Sequence, residues 1–389
     1  MRWVSIAPGR VNLIGEHTDY CGLPVLPMAL DRDVRIHFEA AGGSSVSLDS
    51  PLVGCDAFSF SMADPIERVA QGDWSNYVRA AAKGLIDHGV DLPRGVHGTV
   101  VGTVPLAAGL SSSSALVVAA ALAFLHANDT EMDLLELAGV LARAERFVGL
   151  EGGGMDQAVC LHGLVGHAVR IDFQPTRVDH VAIPPGWRWV VAHSLVRAEK
   201  SGAAMSAYND RAHACRVAFD QMAAALDWPD GYAYVDVVAQ SGEKDPLHRA
   251  ANVLERPLLD RFRHVVTEAR RVDDAQRAIE AGRFEEFGTL MAESHSSLRD
   301  DYQVSIPELD EMVQIAERGG AAGARLTGAG FGGSMVALCD DRSLPAVMEG
   351  LAEDYYRVRG VVELIDVLFE ARPADGARVA NAGGLAPFG

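Results

Sequence analysis

At residues 105–115 the chain reads PLAAGLSSSSA, a glycine beside four consecutive serines, between a strand-like run at 99–104 and an Ala- and Leu-rich helical stretch through Phe124. A strand that feeds a helix through such a loop has a restricted choice of structure. Small residues let backbone amides approach an anion closely, and the helix dipole and serine hydroxyls favour negative charge there. The same run would also suit a serine-capped core helix, and on this fragment alone both readings stand. No G-K-S or G-K-T follows and no dinucleotide-binding glycine pattern is present, so this is neither a Walker loop nor a Rossmann turn.

A second stretch, GRVNLIGEHTDYCGLPVLP at residues 9–27, packs Arg10, Glu16, His17 and Asp19 into ten residues between apolar runs. Two carboxylates, an imidazole and a guanidinium offer donors and acceptors at several angles, as a small polyhydroxylated ligand requires. In isolation the E-H-T-D quartet reads better as a solvated turn between two strands. A third stretch, EGGGMDQ at 151–157, places Asp156 after three glycines that permit unusual dihedrals and close backbone approach. Its plain alternative is a helix stop followed by an Asp-capped helix. The fourth, GARLTGAGFGG at 323–333, has five glycines in eleven residues and implies a tight loop near a phosphate or another backbone.

Bulk composition narrows the function classes. The formal charge is 34 minus 53, or −19, with no basic stripe to neutralise nucleic-acid phosphates, so any anionic substrate must be met locally. Cys21, Cys55, Cys160, Cys215 and Cys339 are scattered, without a C-x-x-C pair, which suggests a reducing cytoplasm. The longest apolar run, 115–125, is too short to span a bilayer, and the amino terminus has no export-type apolar segment, so no membrane partner is expected.

Strands are expected at 34–40, 99–104, 169–173, 187–195 and 334–339, and helices at 134–147, 203–226, 258–271 and 307–318. Mixed elements in both halves predict an α+β chain of two lobes, 1–175 and 176–379, followed by a loose tail at 380–389.

Together the four stretches resemble the sugar-kinase branch of the small-molecule (GHMP) kinase superfamily, and most closely the galactokinase family. GRVNLIGEHTDY is similar to its sugar motif, PLAAGLSSSSA to its ATP loop, GGGMDQ to its catalytic aspartate segment and TGAGFGG to its third glycine motif. Their order agrees from Ala7 to about Arg372, and Trp74 with Asn76 and Tyr77, Tyr208-Asn209 with Arg211, and the run at 294–310 add lesser matches.

The resemblance implies a two-lobed kinase fold with the active site between the lobes, phosphorylating the anomeric hydroxyl of a sugar with ATP and Mg²⁺. Asp156 would serve as catalytic base or electrostatic orienter, with Arg10 beside it keeping it ionised. Glu16, His17, Asp19, Gly153 and Tyr208 would complete the sugar site with these two. The nucleotide would take Ala107, Gly109, Leu110, Ser111, Ser112, Ser113 and Trp74, and the metal Ser113 and Glu145. Sugar and ATP are the implied partners, for a monomer or a weak homodimer.

Departures from the family pattern bear on these roles. Glu145 lies eleven residues before Asp156, one fewer than in many bacterial relatives, and one residue turns a helix by roughly 100°. Cys21-Gly22 and the small Gly152 and Gly154 resemble the N-acetylgalactosamine kinase branch, which keeps that sugar as an alternative to galactose. A sugar and ATP sensor without turnover is the other alternative. Kinases for mevalonate or homoserine fit less well, since those substrates do not call for the E-H-T-D cluster.

Overall fold

The computed structural model describes residues 2–52, 56–197, 203–242 and 245–384. Cys55 and residues 385–389 of the expected tail lie outside them. The chain opens on strand β1 (Trp3–Ile14), which is buried along nearly its whole length. Nothing in the sequence announces it, because Pro8 and Gly9 read as breakers. In the structure they fall at a register shift between β1 and β2 (Leu26–Ala40), where a bulge tolerates both.

After β3 (Ser45–Asp49), β4 (Phe58–Ser61), helix α1 (Ser75–Asp87) and β5 (Val96–Gly102) comes α2 (Ser112–Ala127). Helix α2 is apolar all round and buried on nearly every side, as a helix must be when it lies behind a sheet under a second helix. It packs on β1, β2 and α1. Next come α3 (Leu134–Ala144), α4 (Met155–His162) and the hairpin of β6 (His167–Phe173) with β7 (Thr176–Ala182). The boundary expected near 175 falls on this hairpin's turn.

The second half contains β8 (Arg188–His193), α5 (Ala203–Leu226), α6 (Tyr234–Val238), α7 (Leu247–Val253), α8 (Leu258–Glu280), α9 (Phe284–Ser297) and α10 (Pro307–Arg318). It ends with β9 (Gly323–Thr327), β10 (Ser334–Cys339), α11 (Leu344–Gly350), β11 (Leu368–Ala371) and β12 (Arg378–Asn381). Among the described residues the larger sheets run β12-β1-β2-β5-β3-β4 and β11-β8-β10-β9.

Two features depart from the sequence reading. The stretch expected as a loose tail contributes Ala380 and Asn381, which pair with Val4 and Trp3 of β1. The apolar cluster around β1, β2 and α2 also takes in Trp189, Val272, Ile279 and Phe287, so one core runs from the first half into the second. A second cluster lies around α8, α10 and β10. Helix α8 thus touches both cores, which places its polar residues against the loop that follows β1. Among the described residues, no helix is long and apolar enough to cross a membrane.

Candidate active site

Arg10 lies on β1 just past the bulge. A Cβ on Gly9 would come within 2.8 Å of the Leu110 carbonyl, so glycine lets the serine loop press against the strand. The Arg10 amide donates to that carbonyl at 3.1 Å. Its guanidinium, itself buried, sends Nε and Nη2 to Asp156 Oδ1, each at 2.8 Å, and Nη1 to the Gly109 carbonyl at 2.5 Å. Burial alone would weaken the guanidinium as a base, but the Asp156 and Glu16 carboxylates hold its pKa above the usual value.

Asp156 stands in the first turn of α4, where the helix dipole favours a carboxylate. Gly154 precedes it at φ +107°, so glycine is required there by backbone conformation, whereas a Cβ on Gly152 would meet open space. Ser114 Oγ donates to Glu145 Oε1 at 2.6 Å and lies 3.3 Å from Asp156 Oδ2. Helix α3 stops at Ala144 and tightens into a 3₁₀ turn at Glu145–Val148 before Gly149. Glu145 lines the same cleft as Asp156.

The loop after β1 is fixed from several directions. Gly15 has φ +98°, and a Cβ there would meet Val272 Cγ2 at 2.8 Å. Its amide donates to Glu268 Oε1 at 2.9 Å, and Ser294 Oγ donates to the same oxygen at 2.6 Å. His264 Nε2–H donates to the Glu16 carbonyl at 3.1 Å, and Glu16 Oε1 accepts from the Gly328 amide at 2.6 Å, with Arg325 Nη1 3.8 Å away. Thr18 Oγ1 lies 2.9 Å from both the Gly15 and Pro24 carbonyls, closing the loop on itself.

Electrostatics distinguish these groups. Burial pushes the Glu16 carboxyl above its ordinary range against the pull of Arg325 and Arg10. Burial, reinforced by the Asp156 charge, moves Asp19 up to about 6. Glu268 is held at about 2, because Arg271, His264 and Arg325 overcome a large burial penalty. His17 is pushed down to about 3 by burial and is therefore neutral. Its Nε2 faces the Ala329 carbonyl at 3.2 Å and so carries the proton, leaving Nδ1 to accept from Tyr20 at 2.9 Å.

Two clefts meet at this point. One, with about 730 Å³ of empty space that opens to solvent, is lined by Arg10, Glu16, His17, Asp19, Glu145, Asp156, Gln157, Tyr208 and Gly328–Phe331. The other, about 1170 Å³, is apolar and lined by Trp74, Tyr77, Val100 and Leu116 beside Ala107, Gly109 and Ser111–Ser113. Arg10 and Ala329 border both. Trp74 is held for this role, its Nε1 donating to the Asp56 carbonyl at 2.9 Å and its edge against Phe58. The serine loop has positive φ at Ala107, Gly109 and Ser111, a conformation that strains the two non-glycine residues, and Ser111 Oγ is buried without a partner.

Three expected site residues sit differently. Leu110 is buried and faces away from the second cleft, contributing its carbonyl to Arg10. Gly153 does not line the first cleft; its amide donates to Asp19 Oδ2 at 3.0 Å, and a Cβ there would fall 2.2 Å from the Asp19 carbonyl carbon. His17 lines the cleft with both ring nitrogens already bonded to protein. His264 and Glu268 carried no sequence signal, since both lie in an ordinary amphipathic helix, and Arg325, although inside the glycine-rich stretch at 323–333, was not singled out there. Ser114 was visible as the fourth serine of the run.

Family models match three parts of the chain: a galactokinase galactose-binding signature at residues 2–39, the GHMP kinases N terminal domain at 76–164 and the GHMP kinases C terminal region at 275–357. A galactokinase of Roseiflexus sp. (strain RS-1) is 39% identical over 373 residues, which is 95% of this chain and 91% of that protein. The chain belongs to the galactokinase family. A galactokinase of Chloroflexus aggregans is 40% identical over 356 residues, or 90% of this chain and 88% of that one. Lactococcus lactis galactokinase, solved in complex with galactose, superposes with a TM-score of 0.87 at 28% identity, covering 97% and 95% of the two chains. Methanococcus jannaschii mevalonate kinase, 18% identical with a TM-score of 0.63 over 96% and 98%, shares the fold. In this galactokinase-family chain the galactose-binding signature spans β1, its bulge, the loop that carries Asp19 and β2 as far as residue 39.

Proposed function

We propose that the chain transfers the γ-phosphoryl group of ATP to the anomeric hydroxyl of galactose, giving galactose 1-phosphate and ADP. The observation that carries this reading is the place of Arg10, which borders both clefts and grips Asp156 in one and the serine loop in the other. Galactose occupies the cleft of Glu16, Asp19, Asp156 and Tyr208, where carboxylates accept from its hydroxyls. ATP places its phosphates on the serine loop, where the α2 amides, Ser112, Ser113 and the unpartnered Ser111 hydroxyl await an anion, and its base in the cleft of Trp74 and Tyr77.

Asp156 accepts from the anomeric O–H and holds that oxygen in line with the phosphorus. Phosphoryl transfer is largely loose, so the nucleophile needs little early deprotonation; Asp156 orients first and takes the proton as the new bond forms. Arg10 stays charged and faces the moving phosphoryl group, where it offsets developing charge. Mg²⁺, a hard cation commonly held by one or two protein ligands together with substrate phosphates, would take its protein oxygens from Ser113 on the nucleotide cleft and Glu145 on the sugar cleft. When bound there, the ion would neutralise phosphate charge.

A coupled assay for ADP release across galactose, N-acetylgalactosamine, glucose and mannose, with ³¹P NMR of the product, tests the proposal. Turnover with galactose and an anomeric phosphate signal are expected. Saturable binding of both ligands without turnover, or turnover with glucose or mannose alone, would sink it.

A further inference from the structure

Gln157 follows Asp156 in the first turn of α4, is 2% exposed and lines the same cleft. Its Nε2 is fully buried and has no hydrogen-bond partner. Leaving such a donor unpaired is costly, and in a native protein an orphan of this kind calls for an explanation.

The chemistry of the surrounding wall supplies one. Glu16, Asp19, Glu145 and Asp156 are acceptors when ionised. His17 has both nitrogens engaged, and the Arg10 guanidinium is directed to Asp156 and Gly109. A sugar hydroxyl donates one hydrogen bond and can accept two, and the ring oxygen only accepts. The cleft is therefore richer in acceptors for O–H protons than in side-chain donors for sugar lone pairs, with the Tyr208 hydroxyl the other neutral donor in its wall. A neutral carboxamide with two N–H groups corrects that balance without adding positive charge beside Asp156.

We propose that Gln157 is a substrate-contacting residue, its Nε2 donating to an oxygen of the bound sugar. This inference rests on the sugar-kinase reading above. It separates Gln157 from a core glutamine by the sign of two effects. Replacing a satisfied core amide destabilises the empty protein, whereas replacing an orphan by an isosteric apolar chain leaves it as stable or more so.

The experiment uses the full chain and the variants Gln157→Met and Gln157→Leu. Galactose binding without nucleotide is measured by calorimetry, thermal unfolding is followed with and without galactose, and KM is determined for both substrates. Expected are a galactose Kd weakened about tenfold or more, matching the loss of one well-made hydrogen bond, an unfolding midpoint of the empty variants equal to or above wild type, and an unchanged KM for ATP. An unchanged galactose Kd overturns the proposal. So does a fall of several degrees in the midpoint of both empty variants, which would mark a structural amide, or a rise in KM for ATP alone, which would place the amide on phosphate. If wild type itself fails to bind galactose in the same calorimeter, the sugar-kinase reading falls, and this inference with it.

Discussion

The Arg10 guanidinium holds Asp156 Oδ1 through two nitrogens at 2.8 Å, although 146 residues separate them in sequence. Each depends on the other for its place. Asp156→Ala is expected to lower kcat by roughly 10³-fold or more, since it removes the orienting carboxylate and the proton acceptor together. Arg10→Lys keeps a charge and loses the forked contact to Asp156 and Gly109, so kcat should fall by roughly 10–100-fold. Steady-state kinetics check both, with activity retained in Asp156→Ala ruling out the role given to that residue.

Asp19, at about 6, predicts a pH effect whose sign differs between folding and binding. The unfolded carboxyl titrates near 3.9. Between those values the folded protein binds more protons than the unfolded chain, so ionising Asp19 destabilises it by about 3 kcal/mol as pH rises through that window. Sugar binding needs the ionised form as acceptor, and galactose affinity should therefore decline as pH falls through about 6. His17 at about 3 and His264 at about 4 add no titration there. Asp19→Asn should raise the unfolding midpoint at pH 7.5, weaken galactose, and remove the component of the acid limb centred near 6. A variant that loses stability at pH 7.5 would refute this account.

Glu268 tests whether the sugar loop is set from the opposite lobe. Its Oε1 accepts from the Gly15 amide, and its Oε2 meets Arg271 at 2.8 Å. Glu268→Gln keeps an acceptor and loses the charge. KM for galactose should rise several-fold while KM for ATP stays within about twofold, because the clamp touches the sugar loop and not the serine loop. Glu268→Ala leaves buried guanidinium groups uncompensated and should cost about 3–5 kcal/mol in denaturant unfolding. Equal changes in the two KM values for Glu268→Gln would reduce the clamp to a general stabiliser.

Trp74 gives the converse selectivity. Removing an aromatic platform from the apolar cleft should raise KM for ATP by roughly tenfold, in line with loss of about 1–3 kcal/mol of base stacking. Galactose binding without nucleotide should not change. A shift in galactose Kd comparable to that for ATP would contradict the separation of the two clefts.

Much of the site was legible in sequence because chemistry of this kind uses short, dense motifs. Glu16, His17 and Asp19 share one loop, Ser111 to Ser114 one helix entrance, and Asp156 one helix start. The family models match the same regions. What was illegible was spacing that depends on backbone detail. The spacing of Glu145 from Asp156 left its direction open, and the structure places it in the cleft wall at the start of a 3₁₀ turn. Gly153 and Leu110 belonged to their motifs, yet face Asp19 and the core. Strand β1 was hidden by Pro8 and Gly9, which signal a break unless a bulge is already there to hold them.

The sequence by itself determined the α+β class, the chemistry and the segments that carry it, because residue type and local order fix which donors, acceptors and glycines are available. Tertiary structure decided which of them face a ligand. Only the packing of α8 and β9 against the loop after β1 fixes Glu16 through Glu268, His264, Arg325 and Gly328, residues some 250 to 310 positions away, of which Glu268 and His264 belong to no motif. Burial then set their charges, leaving His17 neutral, Asp19 near 6 and Glu268 ionised, since a carboxyl or imidazole taken out of water titrates according to the neighbours that the fold brings to it.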